Sequence, residues 1–216
     1  MEHIFLHGLG RTPESWNRVL EKLGIKNADC PNLPAFAAGK PVTYAGLYRA
    51  LTDEFDAAEG KINLCGLSLG GVLALHYALE HPDKVRSLVL IAAQYRMPKR
   101  TLRLQNSLFR LMPKGMFAQT GFSKEDMISL CASMTELDFS SALSGISCPT
   151  LVICGEKDAA NRRASEELAE HIPSARLATV PGSGHEVNLD AAEQLAELLQ
   201  AFYKVLIGLT QQAGKI

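Results

Sequence analysis

Short apolar runs alternate with longer segments of helical periodicity along almost the whole chain. The runs are rich in Val, Ile and Leu, as expected of parallel strands that are buried on both faces. The alternation predicts an α/β fold: a doubly wound, mostly parallel sheet of about six strands with helices on both faces. The predicted strands are His3–Leu6, Lys26–Cys30, Ile62–Cys65, Ser87–Ala92, Thr150–Cys154 and Ala175–Val180, and the predicted helices lie near Glu14–Lys22, Thr43–Ala57, Leu69–Leu79, Ala164–His171 and Ala191–Val205.

One interval, residues 94–147, breaks the alternation. It contains helix-period segments but no strand-like run, and proline or glycine interrupts it at Pro98, Pro113, Gly115 and Gly121. We interpret it as a helical cap, inserted over one end of the sheet within one domain that spans residues 1–216.

Composition and charge narrow the class of protein. Hydrophobic residues make up 47% of the chain, charged residues 21%, and the net charge is −1, which gives no reason to expect a nucleic-acid partner. The amino-terminal sequence lacks the pattern of a secretory leader, and no apolar stretch approaches the ~18 residues of a membrane span. We therefore expect a cytoplasmic protein. The five cysteines, odd in number and without a C-x-x-C pair, indicate buried thiols rather than disulfides or a metal site.

Ser68 lies in the sequence Gly66-Leu67-Ser68-Leu69-Gly70, between a predicted strand and an Ala- and Leu-rich predicted helix. The G-x-S-x-G pattern in this context is typical of a nucleophile elbow, in which two glycines leave room for a sharp turn and the serine hydroxyl is presented at the carboxyl end of the sheet. A glycine-rich turn whose serine only caps the helix is the alternative.

A serine nucleophile needs a base and a group that orients the base. His185 follows the last predicted strand in a loop rich in glycine and serine, and no other histidine has a comparable position. Asp158 follows the neighbouring strand, in the turn Gly155-Glu156-Lys157-Asp158. The chain order Ser, Asp, His agrees with the elbow pattern. Glu156 competes for the orienting role, but its expected reach is shorter.

Two backbone amides can complete the site. The first strand opens into His7-Gly8-Leu9-Gly10, and the glycines allow this loop to fold beside the elbow. The N–H groups of Leu9 and Leu69 would then form an oxyanion hole. We expect His7 to hold the loop rather than to take part in the chemistry.

The predicted cap carries the candidate substrate contacts. Five of the six methionines lie in it, and methionine adapts to irregular apolar space. These methionines either line an apolar pocket above Ser68 or only pack the short helices on the body of the protein. Residues 84–124 hold nine Lys or Arg and no acidic residue, which fits either steering of an anionic substrate or a solvated helix face. The candidate pocket residues are Tyr95, Arg96, Met97, Met112, Phe117 and Met127.

Together the H-G-x-G, G-x-S-x-G-G, G-x-x-D and G-x-G-H blocks resemble those of the α/β-hydrolase superfamily, over nearly the whole chain. The resemblance implies a Ser68–His185–Asp158 triad, an oxyanion hole at Leu9 and Leu69, and a cap after the strand that ends near Ala92. Serine at the elbow argues against the haloalkane dehalogenase and epoxide hydrolase branches, which carry aspartate there. Most relatives begin with an antiparallel hairpin that this sequence lacks, so we expect a sheet shortened at one edge, and the cap is brief.

The sequence thus predicts a serine hydrolase that cleaves a small or medium carboxylic ester, thioester or lactone through an acyl-enzyme, without a cofactor or metal. Hydrolysis of a carbon–carbon bond, a lyase reaction or acyl transfer can use the same triad, and Arg96 or Arg100 pointing into the pocket would favour the carboxylate-bearing substrates of the first two. A ligand-binding protein without catalysis is the remaining alternative. The expected partner is a small ester-type molecule; the sequence gives no oligomeric state.

Overall fold

The described part of the chain contains six strands, and they form one sheet in which every neighbouring pair is parallel. We describe residues 2–25, 27–37, 42–118 and 120–213 in a computed structural model. The sheet order is β2-β1-β3-β4-β5-β6, which confirms the predicted α/β fold and strand number. The strands are β1 His3–Leu6, β2 Ala28–Asp29, β3 Ile62–Leu67, β4 Val85–Ile91, β5 Thr150–Gly155 and β6 Ala175–Val180. β2 is shorter than predicted; Cys30 follows it, and Lys26 lies outside the described residues.

Helices pack on both faces of the sheet. The α-helices are α1 Asn17–Leu23, α2 Tyr44–Asp56, α3 Leu69–Glu80, α4 Lys99–Leu111, α5 Lys124–Ser133, α6 Ala159–His171, α7 Val187–Asp190 and α8 Ala192–Ala213. Short 3-10 helices occupy Pro13–Trp16, Leu33–Ala37, Lys114–Phe117 and Leu143–Gly145. None of the described helices is both long and apolar enough to cross a membrane.

Alternate residues of each central strand belong to two separate apolar layers. In β4, Leu88 and Leu90 join the layer formed with α2, α3 and α6, whereas Val89 and Ile91 join the layer formed with α1 and α8. Successive side chains of a strand point to opposite faces, so a strand that is covered on both faces must be apolar at every position. This is why the strands read as continuous apolar runs in the sequence.

The direction of strand addition reverses between β1 and β3. The chain leaves β1 to form β2 on one side, and the later strands all add on the other side. In open α/β sheets the crevice at such a reversal, at the carboxyl ends of the strands, is the usual place for a ligand. The loop after β1 and Ser68 after β3 both lie at this crevice.

The segment between β4 and β5 covers the carboxyl end of the sheet with α4 and α5. Within its described residues, 94–118 and 120–147, the only strand-type pairing is an isolated antiparallel bridge between Arg96 and Asp138. Met127, Leu130 and Met134 of this segment join the same apolar layer as α2 and α3. The segment is thus packed on the body of the molecule and forms the roof of a cavity above the sheet.

Candidate active site

The backbone of Ser68 has the strained geometry of a sharp strand-to-helix turn. Its φ is 54° and its ψ −115°, a conformation that residues with a Cβ rarely adopt. A Cβ on Gly66 would lie 2.2 Å from the carbonyl oxygen of Gly70, and a Cβ on Gly70 would lie 2.3 Å from that of Leu6. Both positions therefore require glycine, and the turn holds the half-buried Ser68 side chain at the cavity.

Asp158 caps the start of helix α6 and contacts His185 in the loop after β6. Its Oδ2 lies 2.9 Å from His185 Nδ1. The carboxylate is buried, with 6% of the residue exposed. Burial raises the pKa of Asp158, but the hydrogen bonds from His185 and Asn161 outweigh this effect and hold the pKa below its ordinary value. The carboxylate thus stays ionised beside the ring.

Glu156, the competing acid, has a different role. Its carboxylate accepts a hydrogen bond from the backbone N–H of Gly182 at 2.8 Å, and its own N–H donates to the carbonyl of Val180 at 3.0 Å. The residue is exposed, and among the described contacts it makes none with His185. Glu156 therefore ties the loop before His185 to the end of β5.

Asn161 is a site residue that the sequence analysis missed. Its Nδ2 donates to both carboxylate oxygens of Asp158, at 3.0 and 2.8 Å, and lies 3.1 Å from His185 Nδ1. Because this amide already donates to the carboxylate, we assign the Nδ1 proton of His185 to its bond with Asp158. Nε2 is then the unprotonated ring nitrogen that can accept a proton.

Gln94 fixes the orientation of that amide. Its Nε2 donates to Asn161 Oδ1 at 2.7 Å, which leaves the Asn161 nitrogen facing Asp158. The sequence contained a usable sign: an Asp directly before a helix, with a polar residue three positions later, is a capping pattern. Asn161 N–H indeed donates to Asp158 Oδ1 at 3.3 Å. The four side chains form one chain of contacts, from Gln94 through Asn161 to Asp158 and His185.

The loop after β1 is held by a buried histidine. His7 Nε2 accepts from the Leu33 N–H at 3.1 Å, so its Nδ1 donates to the carbonyl oxygen of Gly8 at 2.9 Å. Burial lowers the pKa of His7 and outweighs the Gly8 carbonyl, which raises it. A neutral ring fits both bonds, and Leu9 of this loop lines the cavity.

A bidentate ion pair joins the loop after β1 to the loop that carries His185. Arg11 donates from Nε and Nη2 to the two carboxylate oxygens of Glu186. The Arg11 side chain is 45% exposed and that of Glu186 27% exposed. The pair therefore ties the loop that contains Leu9 to the loop that contains His185.

Ser68 and His185 lie on the wall of one cavity of about 470 Å³. No hydrogen bond within 3.5 Å joins the Ser68 hydroxyl to His185 among the described residues; in enzymes without bound substrate such a bond is often long. Leu69 also lines the cavity, and as the first residue of α3 its N–H has no acceptor within the helix. Leu9, Ser68 and Leu69 thus line the same cavity, and the oxyanion role of the two leucine N–H groups stays a prediction.

The described lining is mostly apolar and carries no Lys, Arg, Asp or Glu. Its polar side chains besides Ser68 and His185 are Gln94, Thr101, Gln105 and Asn161. Cys131 also lines it, and burial raises the pKa of this thiol to about 11, so it remains protonated. The described residues contain no group of three or more His, Cys, Asp or Glu that could hold a metal ion. The apolar lining from the roof consists of Met97, Pro98, Leu102, Phe109, Met127 and Met134.

Met97 and Met127 are thus the two predicted pocket residues that line the cavity, and the other four do not. The Tyr95 hydroxyl donates to Glu167 at 2.6 Å, and the exposed guanidinium of Arg96 lies 5.9 Å from the Tyr95 ring centroid, on the outside of the molecule. Met112 and Phe117 pack into the apolar layer instead, where Phe117 meets Phe109 edge-on at 5.6 Å. Composition identified the segment, but only its packing decides which side chains face inward.

Comparison with known proteins gives a consistent family. Residues 4–198 match the family model described as the alpha/beta hydrolase family. A pimeloyl-[acyl-carrier protein] methyl ester esterase of Nitrosomonas europaea is 25% identical, over 92% of this chain and 94% of that protein. A Bacillus subtilis protein provisionally named 2-succinyl-6-hydroxy-2,4-cyclohexadiene-1-carboxylate synthase is 24% identical, over 92% of this chain and 89% of that protein.

Solved structures show the same fold. An esterase from Thermogutta terrifontis superposes with a TM-score of 0.78 and 21% identity, covering 95% of this chain and 90% of that chain.

Proposed function

Because the chain belongs to the alpha/beta hydrolase family, we propose that it is a serine hydrolase that cleaves a neutral carboxylic ester of small or medium size through an acyl-enzyme. Ser68 is the nucleophile, His185 the general base and acid, and Asp158 the group that orients the ring. The N–H groups of Leu9 and Leu69 bind the oxyanion. The observation that carries the proposal is the 2.9 Å contact between Asp158 and His185 at a cavity that His185 shares with Ser68.

Acylation needs the proton of the Ser68 hydroxyl to leave as the oxygen attacks. His185 Nε2 accepts that proton while the Ser68 oxygen bonds to the carbonyl carbon, and the carbonyl electrons move to the oxygen facing Leu9 and Leu69. The ionised Asp158 stabilises the positive ring without taking its proton. The bond from the carbonyl carbon to the leaving oxygen then breaks, and His185 protonates the departing alcohol.

Deacylation repeats these steps with water. His185 removes a proton from a water molecule as its oxygen attacks the acyl carbon, and it returns the proton to Ser68 as the acyl group leaves as a carboxylic acid. The same two backbone donors hold the second oxyanion. Both halves of the reaction therefore use the same groups: Ser68, His185, Asp158 and the N–H groups of Leu9 and Leu69.

The lining of the cavity supports a neutral acyl group. Arg96 lies outside, and Arg100 is exposed and absent from the lining, so neither offers a counter-ion to a substrate carboxylate. Burying an unpaired charge in apolar surroundings is costly. An arginine in the cavity would have favoured a carboxylate-bearing substrate, as in carbon–carbon hydrolysis or a lyase reaction. The described lining contains none. The name of the Nitrosomonas relative, a methyl ester esterase, agrees with an ester whose alcohol is small.

The first test replaces the nucleophile. With p-nitrophenyl butyrate, Ser68→Ala should lower kcat by about 10⁴-fold or more, and a fluorophosphonate should label the wild-type protein at Ser68 alone. Ser107→Ala, which removes an exposed hydroxyl of α4, is the matched control and should keep full activity. Equal activity in the Ser68→Ala protein, or tight ligand binding without turnover in either protein, would refute the proposal.

The second test concerns substrate charge. The p-nitrophenyl ester of hexanoic acid and the mono-p-nitrophenyl ester of adipic acid have acyl chains of equal length, and only the second ends in a carboxylate. We expect kcat/KM to be at least about tenfold higher for the neutral ester, because the carboxylate loses its hydration without gaining a partner. A preference for the charged ester would contradict the neutral acyl site while leaving the role of Ser68 intact.

A further inference from the structure

Helix α4 has two contrasting faces. Leu102, Gln105 and Phe109 line the cavity, whereas Leu104, Leu108 and Leu111 project outward with 62%, 53% and 83% of each residue exposed. Spacings of four and three residues put these leucines in one row on the helix surface. Side chains of this size are normally covered, so a row of three in water is an unusual surface.

Three arginines lie on the same outer side of α4. Arg100, Arg103 and Arg110 are exposed, and their side chains take part in no ion pair or hydrogen bond among the described residues. Nearby lysines do have acidic partners: Lys99 pairs with Glu136 and Lys114 with Glu125. The arginines beside the leucine row are therefore available to an external anion.

Basic residues are also concentrated in the part of the sequence that contains α4, and acidic residues lie elsewhere in the chain. Residues 84–124 contain nine basic and no acidic residues, whereas the remainder contains thirteen basic and twenty-three acidic residues. Within this stretch, α4 itself carries four basic residues and no acidic one, in a molecule whose net charge is −1. A negatively charged surface would attract α4 and repel the rest, which fixes the orientation of approach.

We propose that the outer face of α4 docks on an anionic phospholipid bilayer. The leucine row enters the boundary of the acyl chains while Arg100, Arg103 and Arg110 bind lipid phosphates. A helix with strongly segregated apolar and basic faces and low overall hydrophobicity is typical of segments that lie in the plane of a membrane surface. Leucines that project this far need a matching groove on a protein partner, whereas lipid chains adapt to any shape.

Docking by this face also places the cavity at the membrane. The inner side of α4 forms part of its lining, and the outer side would contact lipid. Apolar molecules dissolved in the bilayer would then be separated by one helix diameter, roughly 10 Å, from the cavity that Ser68 lines. The docking itself does not depend on the proposed catalysis.

Cosedimentation with vesicles tests the docking. The full-length Ser68→Ala protein is used throughout, so that no lipid is cleaved, and is mixed with vesicles of phosphatidylcholine alone or of equal parts phosphatidylcholine and phosphatidylglycerol. We expect binding to the anionic vesicles only, weakened by salt. The triple change Leu104→Ser, Leu108→Ser, Leu111→Ser and the triple change Arg100→Gln, Arg103→Gln, Arg110→Gln should each lower the partition coefficient by about tenfold or more.

Matched changes elsewhere serve as controls. Leu177→Ser removes an exposed leucine of β6, and Arg18→Gln, Arg49→Gln, Arg176→Gln removes the same charge from other exposed positions. Both control variants should bind the anionic vesicles as strongly as the Ser68→Ala protein without further changes. Absence of binding to anionic vesicles overturns the proposal, as does an equal loss in the controls. Binding to a purified acidic acyl carrier protein but not to vesicles, or a dimer that only the leucine variant loses, also overturns it.

Discussion

At the scale of single residues, the candidate site depends on the direction of one amide. Gln94 holds the oxygen of Asn161, and this turns the Asn161 nitrogen toward Asp158. The carboxylate receives donors from both Asn161 and His185, which together lower its pKa despite burial. Asn161 is thus a positioning residue that keeps Asp158 ionised.

Replacing Asn161 should impair turnover, most of all in acid. Asn161→Ala removes two donors to a buried charge, a loss of ~1.5–3 kcal/mol, so kcat should fall about 10- to 100-fold. The pKa of Asp158 should rise, and the rate should therefore decline at a higher pH than in the wild type. Asn17→Ala, at an exposed asparagine of α1, is the control. A pH–rate profile of the same shape in both proteins would show that Asn161 has no such role.

At the scale of elements, each residue of the predicted triad and of the predicted oxyanion hole follows a strand directly or lies in the turn or helix start beyond it. β1, β3, β5 and β6 end at one edge of the sheet, and the loops beyond them bring together residues that are far apart in the chain. The Arg11–Glu186 ion pair links two of these loops across 175 positions. The pair restricts the separation between the predicted oxyanion donor at Leu9 and the predicted base.

Breaking this ion pair should slow the reaction modestly. Arg11→Gln and Glu186→Gln should each lower kcat/KM by about two- to fivefold, because a partly exposed pair contributes roughly 0.2–1 kcal/mol. The double variant should lose no more than either single variant, and high salt should reduce the difference from wild type. Lys22→Gln breaks the exposed pair with Glu193, which joins α1 to α8 away from the site, and should not change the rate. Additive losses would contradict the coupling.

The sequence predicted the elements well where an apolar run defines them and less well where polar residues begin or end them. β1 and β6 have the predicted bounds. β4 begins at Val85 rather than Ser87, since the exposed Arg86 interrupts its apolar run, and α6 begins at Ala159 rather than Ala164, since its first turns are polar.

The candidate site divides in the same way. Ser68, Asp158 and His185 each stand after a recognisable strand, which local sequence can show. The contacts of Gln94 with Asn161, and of Arg11 with Glu186, depend on how distant loops pack. Of the predicted pocket residues outside the cavity, Arg96 is exposed, whereas Tyr95, Met112 and Phe117 join the apolar layer. An apolar residue that faces the core and one that faces the cavity are alike in sequence.

At the scale of the whole molecule, stability depends on one buried and two half-buried histidines whose neutral form the fold favours. Burial lowers the pKa of His3, His7 and His76 from the ordinary value of 6.5, although acidic neighbours or a carbonyl partly oppose it. Below pH 6.5 the unfolded chain takes up protons that the folded state resists. The free energy of unfolding therefore decreases as the pH falls from 6.5 toward the lower pKa values of these histidines in the folded state.

Urea unfolding measures this effect. The free energy of unfolding should decrease from pH 8 to pH 5.5, roughly the range in which unfolded histidine gains its proton. His7→Gln should show a shallower decrease, since one of the buried rings is gone, even if its stability at pH 8 is lower. His171→Gln, at an exposed histidine, should show the wild-type slope. A stability that rises toward pH 5.5 would reverse the assigned direction.

The turn at Ser68 has a cost that the rest of the fold must offset. A residue with a Cβ at a φ of 54° and a ψ of −115° raises the energy of the native state by roughly 1–3 kcal/mol. Rigid apolar layers on both sides of β3 prevent the loop from relaxing. Any loosening of those layers, even far from the cavity, would let the serine relax into an ordinary rotamer and backbone, so core-softening mutations should inactivate the molecule before they unfold it.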